Sequence, residues 1–189
     1  MEQDRDKWNR RYESEEFFLG PHPSRFLAEY IAGVEAMLPG RRALDIACGE
    51  GRNSIYLAGR GYEVTGVDIA DRGLDKAARR ALEEGAGIVF IRQDLEVTPL
   101  TGQWDLVLNV NFLLRNLISQ EIDVLSPGGV IMFETLLDSP RLPEGHNPEF
   151  FLQPGELASI FSRFTGTIHH YEEFPGADAP VAQLIYQKS

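Results

Sequence analysis

A predicted strand, a glycine turn and the start of a helix follow one another between residues 41 and 54, and no other feature constrains the fold as strongly. The apolar run of residues 43–46 carries one acid, Asp45, and leads directly into Gly49-Glu50-Gly51. In an open α/β sheet such a turn lies at the carboxyl edge of the strands, where nucleotide-like ligands bind. Glycine lets a ligand approach the backbone closely, because no Cβ stands in the way. The sequence therefore predicts a ligand site at this turn.

Acidic residues also end the next two predicted strands. Asp68 follows the run of residues 62–67, and Asp94 follows residues 88–93. Because parallel strands present their carboxyl ends at one edge of the sheet, three carboxylates are expected to meet there. Such an edge suits a ligand with hydroxyls, amines and positive charge better than a pyrophosphate. A nucleotide-binding P-loop is excluded, because no Gly-Lys-Ser/Thr follows the turn.

The order of predicted elements indicates the fold class. Strands alternate with helices from residue 41 to residue 135, which is typical of a parallel sheet covered by helices on both faces. Two further strand-like runs, 165–174 and 181–187, are joined by a short turn-rich link and should therefore pair antiparallel. The sequence predicts an α/β, Rossmann-like, doubly wound and mostly parallel seven-stranded sheet with a C-terminal antiparallel hairpin.

Length, charge and cysteine content limit the class of protein. The 189 residues suit one domain spanning 1–189, and the formal net charge is −11. An acidic surface repels phosphate backbones, so we expect no nucleic-acid partner, although such charge also serves solubility. The single Cys48, the charged N-terminus and the lack of a long apolar run predict a cytoplasmic protein without a signal peptide or membrane contact. The histidines show no metal-ligand spacing, so no metal site is expected, and the oligomeric state is left open.

Residues 45–51, with the sequence DIACGEG, resemble the first motif of class I S-adenosylmethionine-dependent methyltransferases, D/E-x-G-x-G-x-G, with Ala47 in place of its first glycine. The segment WNRRY at 8–12, residues 23–27 and the stretch CGEGRNSIYLAGRGYEVTGVDIA at 48–70 resemble the tellurite-resistance-like small-molecule methyltransferases. The thiopurine methyltransferase relatives look similar at lower specificity. The resemblance implies S-adenosylmethionine as the cofactor and a small molecule as the methyl acceptor.

The resemblance also implies roles for individual residues. Asp68 would bind the two ribose hydroxyls, and Asp45 would hold the glycine turn and the cofactor's ammonium, although it could equally serve the loop alone. Asp94 would accept from the adenine amine, with Leu95 and Ile69 against the ring, although a simple surface acid is an equal alternative. Arg52 could be a solvated helix charge and Cys48 a small packed side chain. The remaining predicted cofactor contacts come from the N-terminal segment, the turn, the helix after it and the fourth strand: Tyr12, Ala47, Cys48, Gly49, Gly51, Arg52, Asn53 and Asn109.

Two other functions remain open at this level. A nicotinamide-dependent Rossmann-like reductase would use the same turn and Asp68, but Ser54 stands where its third glycine should be. A non-catalytic cofactor-binding module is the other alternative. No convincing base is evident, which favours a soft sulfur, selenium or tellurium nucleophile and leaves the catalytic residues unknown. His146 and Glu134 are the candidates if a base is needed.

The N-terminal residues 1–20 are predicted to form a lid. Trp8 and Tyr12 lie one helical turn apart and share a face, and Gly20-Pro21 is a plausible hinge. The long link 136–153 should form the opposite wall of a closed pocket, since a link of that length is usually functional. A helix that is simply docked on the core is an even alternative.

Overall fold

A computed structural model describes residues 2–140 and 148–189. Its strands form one seven-stranded sheet in the order β3-β2-β1-β4-β5-β7-β6. The strands are β1 (Arg42–Ile46), β2 (Glu63–Asp68), β3 (Ile88–Arg92), β4 (Trp104–Val110), β5 (Leu125–Leu136), β6 (Gly166–Phe174) and β7 (Val181–Lys188). The α-helices are α1 (Glu2–Arg11), α2 (Arg25–Glu35), α3 (Arg52–Gly59), α4 (Asp71–Glu83), α5 (Ile118–Asp123) and α6 (Glu156–Phe161), and a 3-10 turn spans Pro148–Phe150.

The pairing of the strands follows from how they are connected. Strands β1 to β5 pair in parallel, with β1 between β2 and β4. Strand β7 runs antiparallel to both β5 and β6, because β6 and β7 are joined directly by a turn. The predicted mostly parallel, seven-stranded sheet with a C-terminal antiparallel hairpin is confirmed.

Both faces of the sheet are covered, as a parallel sheet requires. Because side chains alternate along a strand, Leu106 and Leu108 of β4 face one layer and Val107 faces the other. Helices α2 and α3 pack over the first face, with Phe26, Leu27, Ile31 and Leu57 buried there. Helices α5 and α6 pack over the second face. The carboxyl edge of the strands lies between these two layers, and the predicted ligand residues are at that edge.

Candidate functional site

The turn after β1 is built from unusual backbone conformations. Ala47, Gly49 and Gly51 all have positive φ, at 50°, 54° and 76°. A Cβ on Gly51 would lie 2.8 Å from the Cβ of Ala77, so helix α4 can approach the turn only because that residue is glycine. Ala47 adopts the left-handed conformation although it has a Cβ, at a cost of roughly 1–2 kcal/mol. Strain of this kind is concentrated at functional sites.

Asp68 fastens the turn to the end of β2. Its side chain is 6% exposed, and its two carboxylate oxygens accept the backbone N–H groups of Gly49 and Ala70, each at 2.8 Å. Burial raises the pKa of Asp68, and the two backbone donors oppose that rise. Each carboxylate oxygen keeps a second lone pair, so the predicted bonds to ribose hydroxyls are compatible with these contacts.

Asp45 lies beneath the turn and is 2% exposed. It accepts a hydrogen bond of 2.5 Å from the hydroxyl of Ser54. Burial raises its pKa to about 7; the Ser54 bond opposes the rise and the nearby Asp68 adds to it. This contact fits the loop-organising alternative, and it explains why serine occupies the position where a nicotinamide site would have glycine.

Cys48 and Asn53 have structural contacts at the site. Cys48 packs beside Gly66, where a Cβ would lie 2.9 Å from the sulfur, and burial raises the pKa of its thiol. A neutral buried thiol is a small packed side chain and no nucleophile. The amide oxygen of Asn53 accepts the backbone N–H of Ser24 at 2.8 Å, which ties the start of α2 to α3. Asn53 therefore supports the site through this anchor.

The residues predicted to contact the adenine lie just after the ends of β2 and β3. Asp94 comes two residues after β3 and accepts the backbone N–H of Glu96 at 3.0 Å. The backbone N–H of Gln93 donates to the carbonyl oxygen of Asp68 at 2.9 Å, so the ends of β2 and β3 are joined. Leu95 is buried and Ile69 is half-buried beside them. The structure thus brings the predicted acids of β1, β2 and β3 to one edge.

Asn109 of β4 faces helix α5 and lies below the edge. Its side-chain nitrogen donates to Glu121 at 2.7 Å, and both residues are at most 1% exposed. The amide oxygen of Asn109 and the second carboxyl oxygen of Glu121 have no hydrogen-bond partner among the described residues. Burial raises the pKa of Glu121 to about 8. The side-chain nitrogen of Asn109, a residue predicted to contact the cofactor, is thus bonded to helix α5.

The comparisons with known proteins add to this geometry. A family model described as a methyltransferase domain matches residues 43–129, which include the glycine turn, the three acids and Asn109. The ubiquinone biosynthesis O-methyltransferase of Bordetella avium is 31% identical over 154 residues, which cover 69% of this chain and 64% of that protein. Over residues 43–129 the chain is thus similar to a methyltransferase domain. It spans less than two thirds of the length of this relative.

Solved structures of methyltransferases share the fold of this chain. TehB from Haemophilus influenzae has a TM-score of 0.73 at 18% identity, over 98% of this chain and 67% of TehB. Magnesium protoporphyrin IX methyltransferase from Synechocystis PCC 6803, crystallised with bound S-adenosylmethionine, has a TM-score of 0.69 at 20% identity, over 97% of this chain and 90% of that one. At 18% and 20% identity, these matches show a shared fold.

The N-terminal segment of the chain lies against the glycine turn. Tyr12 stacks on Trp8, with ring centroids 5.8 Å apart, as their spacing predicts. A Cβ on Gly49 would lie 2.8 Å from the Tyr12 hydroxyl, so Tyr12 contacts the turn. Burial and the nearby charge of Asp68 raise the pKa of Tyr12. The side-chain nitrogen of Lys7 lies 5.2 Å from the ring centroid of Phe150, so α1 also meets the described part of the 136–153 link.

A buried ion pair holds this segment in place. Glu50, inside the glycine turn, pairs with Lys76 of α4, and both side chains are at most 9% exposed. Glu50 accepts the backbone N–H of Phe18 at 2.7 Å. Lys76 donates to the carbonyl oxygens of Ser14 and Glu16 at 2.9 and 3.0 Å. This pair has no signal in the sequence, because its members are 26 residues apart.

The two candidates for a base differ in position. Glu134 is half-buried at the carboxyl end of β5, whereas His146 lies outside the described residues. In the ranges 2–140 and 148–189 no group of three or more His, Cys, Asp or Glu side chains could hold a metal ion. Across the same ranges no helix combines the length and the apolar character needed to span a membrane.

Proposed function

We propose that this chain binds S-adenosylmethionine at the β1–β2 edge and transfers its methyl group to a small-molecule acceptor. The observation that carries this proposal is the glycine turn held from below by buried Asp45 and Asp68, inside the region that matches the methyltransferase domain. The similarity to a ubiquinone biosynthesis O-methyltransferase supports this activity, and the fold shared with a methyltransferase crystallised with bound S-adenosylmethionine is compatible with it.

The residues at the edge fit this cofactor. The lack of a Cβ at Gly49 lets the Tyr12 hydroxyl lie against the turn, and Asp68 retains acceptor capacity for the ribose hydroxyls. Asp94 would accept from the adenine amine between Leu95 and Ile69. The turn and Asp45 would hold the methionine end, together with Arg52 and the carbonyl of Asn109. When bound, S-adenosylmethionine supplies a methyl carbon already activated by its sulfonium.

The protein's own contribution is then alignment and exclusion of water. Positioning of reactants can be worth on the order of 7–11 kcal/mol in favourable intramolecular models. The N-terminal segment, with Tyr12 against the turn and Lys7 over Phe150, would act as a lid that closes the site during transfer. Residues 1–20 are thus proposed as a lid within the single domain 1–189.

The acceptor is expected to be a small molecule. A soft sulfur, selenium or tellurium nucleophile needs no base, and the likeness in fold to TehB is compatible with the tellurite-resistance-like branch. The main support for a soft nucleophile was the lack of a convincing base. That support is weakened because Glu134 lies half-buried at the edge. The proposed function involves neither nucleic acid nor a membrane, and it needs no partner other than the small-molecule acceptor.

Thermal unfolding with each cofactor tests the proposal. A ligand at one hundred times its dissociation constant adds about 2.7 kcal/mol of stability. S-adenosylmethionine should therefore raise the melting temperature by roughly 5–10 °C, at 2–4 °C per kcal/mol for a chain of this size. A shift with NADPH and none with S-adenosylmethionine would favour the reductase. Binding without transfer to any acceptor of a broad panel would leave a cofactor-binding module.

A further inference from the structure

The order of the strands fixes the order in which the predicted ligand residues follow one another along the edge. Along the edge, β3 carries Asp94, β2 carries Asp68, β1 leads into the glycine turn, and β4 contributes Asn109. If the proposed function holds, Asp94 after β3 would hold the adenine, and the glycine turn with Asn109 of β4 would hold the methionine end that carries the sulfonium. Neighbouring strands are about 4.8 Å apart. A methyl acceptor beyond the sulfonium then lies over the next strand, β5.

Glu134 stands at that position on β5. It is opposite Val110, the last residue of β4, and its carbonyl oxygen accepts the backbone N–H of Asn111 at 2.8 Å. Val130 and Met132 of β5 face α2 and α3, and alternation along the strand places the Glu134 side chain on the same face. The carboxylate therefore points to the side on which α3 begins beside the glycine turn.

Two groups from separate elements interact with the Glu134 carboxylate. The side-chain nitrogen of Gln183 on β7 donates to it at 2.5 Å. The guanidinium of Arg52, at the start of α3, attracts it electrostatically. Arg52 in turn donates to the carbonyl oxygen of Leu19 at 3.2 Å, next to the proposed hinge. Glu134 is thus a half-buried acid between the glycine turn, the lid and the hairpin.

We infer that Glu134 is the general base for methyl transfer and that the acceptor presents an O–H or N–H group to it. This inference rests on the proposed function. The acceptor's oxygen or nitrogen forms a bond to the methyl carbon, while the carbon–sulfur bond breaks and its electron pair stays on sulfur. The acceptor's proton passes to the Glu134 carboxylate and then to water. Gln183 is a positioning residue that orients the carboxylate.

The same carboxylate selects against other acceptors. A negative charge at this position repels oxyanions such as tellurite or selenite, whereas a neutral hydroxyl or amine can donate a hydrogen bond to it. Burial raises the pKa of Glu134, which brings it closer to the range useful for a base near neutral pH. The predicted soft oxyanion acceptor is therefore replaced by a hydroxyl or an amine.

The test measures transfer from labelled S-adenosylmethionine to catechol, benzylamine, 2-mercaptoethanol and tellurite, with cofactor affinity measured separately. Glu134→Gln should lower kcat toward catechol or benzylamine by at least about a hundredfold, the usual size of a lost general base, and leave the cofactor Kd within twofold. Glu172→Gln is the matched control, because Glu172 is exposed and opposite Gln183 on the far side of β7. It should keep both values.

Further measurements separate a catalytic role from a structural one. Gln183→Ala removes a bond that lowers the pKa of Glu134, so the rise of kcat with pH should move to higher pH. This shift tests the base even if Glu134→Gln fails to fold. A Glu134→Gln variant with over half of the wild-type kcat, or an unmoved profile in Gln183→Ala, overturns the inference. So does wild-type transfer confined to thiol or tellurite, or absent with all four acceptors, while the cofactor binds. Absence of cofactor binding instead refutes the proposed function itself.

Discussion

The two halves of the sheet edge are built differently. On the β1–β2 half, the buried acids Asp45 and Asp68 bond to Ser54 and to backbone N–H groups within 19 residues of them. On the β4–β5 half, the contacts of Asn109 and Glu134 come from helix α5 and strand β7, and two buried polar atoms keep no partner among the described residues. The buried acids of the cofactor half thus have hydrogen-bond partners, whereas on the acceptor half buried polar atoms of Asn109 and Glu121 lack one among the described residues.

The largest expected effect tests how rigid the cofactor half is. Gly51→Val should lower the free energy of unfolding by roughly 2–5 kcal/mol, because left-handed strain adds to the clash with Ala77. Gly61→Val is the matched control, since Gly61 also has positive φ but nothing within 4 Å of its Cβ position. It should lose only the strain, about 1–2 kcal/mol. Equal losses in urea unfolding would refute a tight contact between turn and α4.

The next prediction concerns the lid over the cofactor half. Deleting residues 1–18 removes Tyr12 and the backbone groups that bind Glu50 and Lys76. Transfer should fall at least about a hundredfold, equivalent to about 2.7 kcal/mol, because water then reaches the site. The urea midpoint of the remaining chain should change much less. In the full chain, cofactor binding should slow hydrogen exchange in residues 5–20. Full activity after deletion would reject the catalytic role of the lid.

A pH-dependent prediction addresses the acceptor half. The unfolded chain ionises Glu121 near pH 4.5, but burial raises its folded pKa to about 8. Since the folded state holds the proton more tightly, this group's contribution to stability falls as pH rises from about 4.5 to 8. Glu121→Gln should therefore melt like the wild type near pH 4.5 and at a higher temperature than the wild type at pH 9. Glu83→Gln, at an exposed acid, should follow the wild type throughout.

The smallest expected effect returns to the cofactor half. Ala47→Gly should stabilise the protein by about 1 kcal/mol, because glycine adopts the observed φ of 50° without strain. The gain is below the strain because glycine also has more freedom to lose on folding. Chemical denaturation measures it directly. A variant less stable than the wild type would show that the alanine methyl packs usefully against the core.

The contrast between the two halves explains what could be predicted from the sequence. The glycine turn, Asp45, Asp68 and the strand order follow from local patterns, because the chemistry is carried by contiguous residues. Glu121 was missed although it lies on the apolar stripe of its helix with Leu117, Ile118 and Ile122, which is the signal that could have found it. A buried acid on such a stripe requires a partner.

Other contacts had no signal in the sequence. Gln183 reaches Glu134 from 49 residues away, and Lys76 reaches Glu50 from 26. Such pairs appear only when strand order and helix packing are known, since neither spacing matches a helix or strand period. Asn109 lies on β4 as predicted, but the bond from its side chain to Glu121 of α5 had no signal in the sequence.

Calorimetric titration with S-adenosylmethionine tests the central claim most directly. The wild type should bind the cofactor, and Asp68→Ala should bind it roughly ten- to hundredfold more weakly, since hydrogen bonds to a charged group are worth about 1.5–3 kcal/mol. Asp75→Ala, at an exposed acid of α4, should bind within twofold of the wild type. Because Asp68 also holds Gly49 and Ala70, circular dichroism must show that the variant is folded. No binding by the wild type, or a loss below about twofold in folded Asp68→Ala, would contradict a cofactor site at this edge.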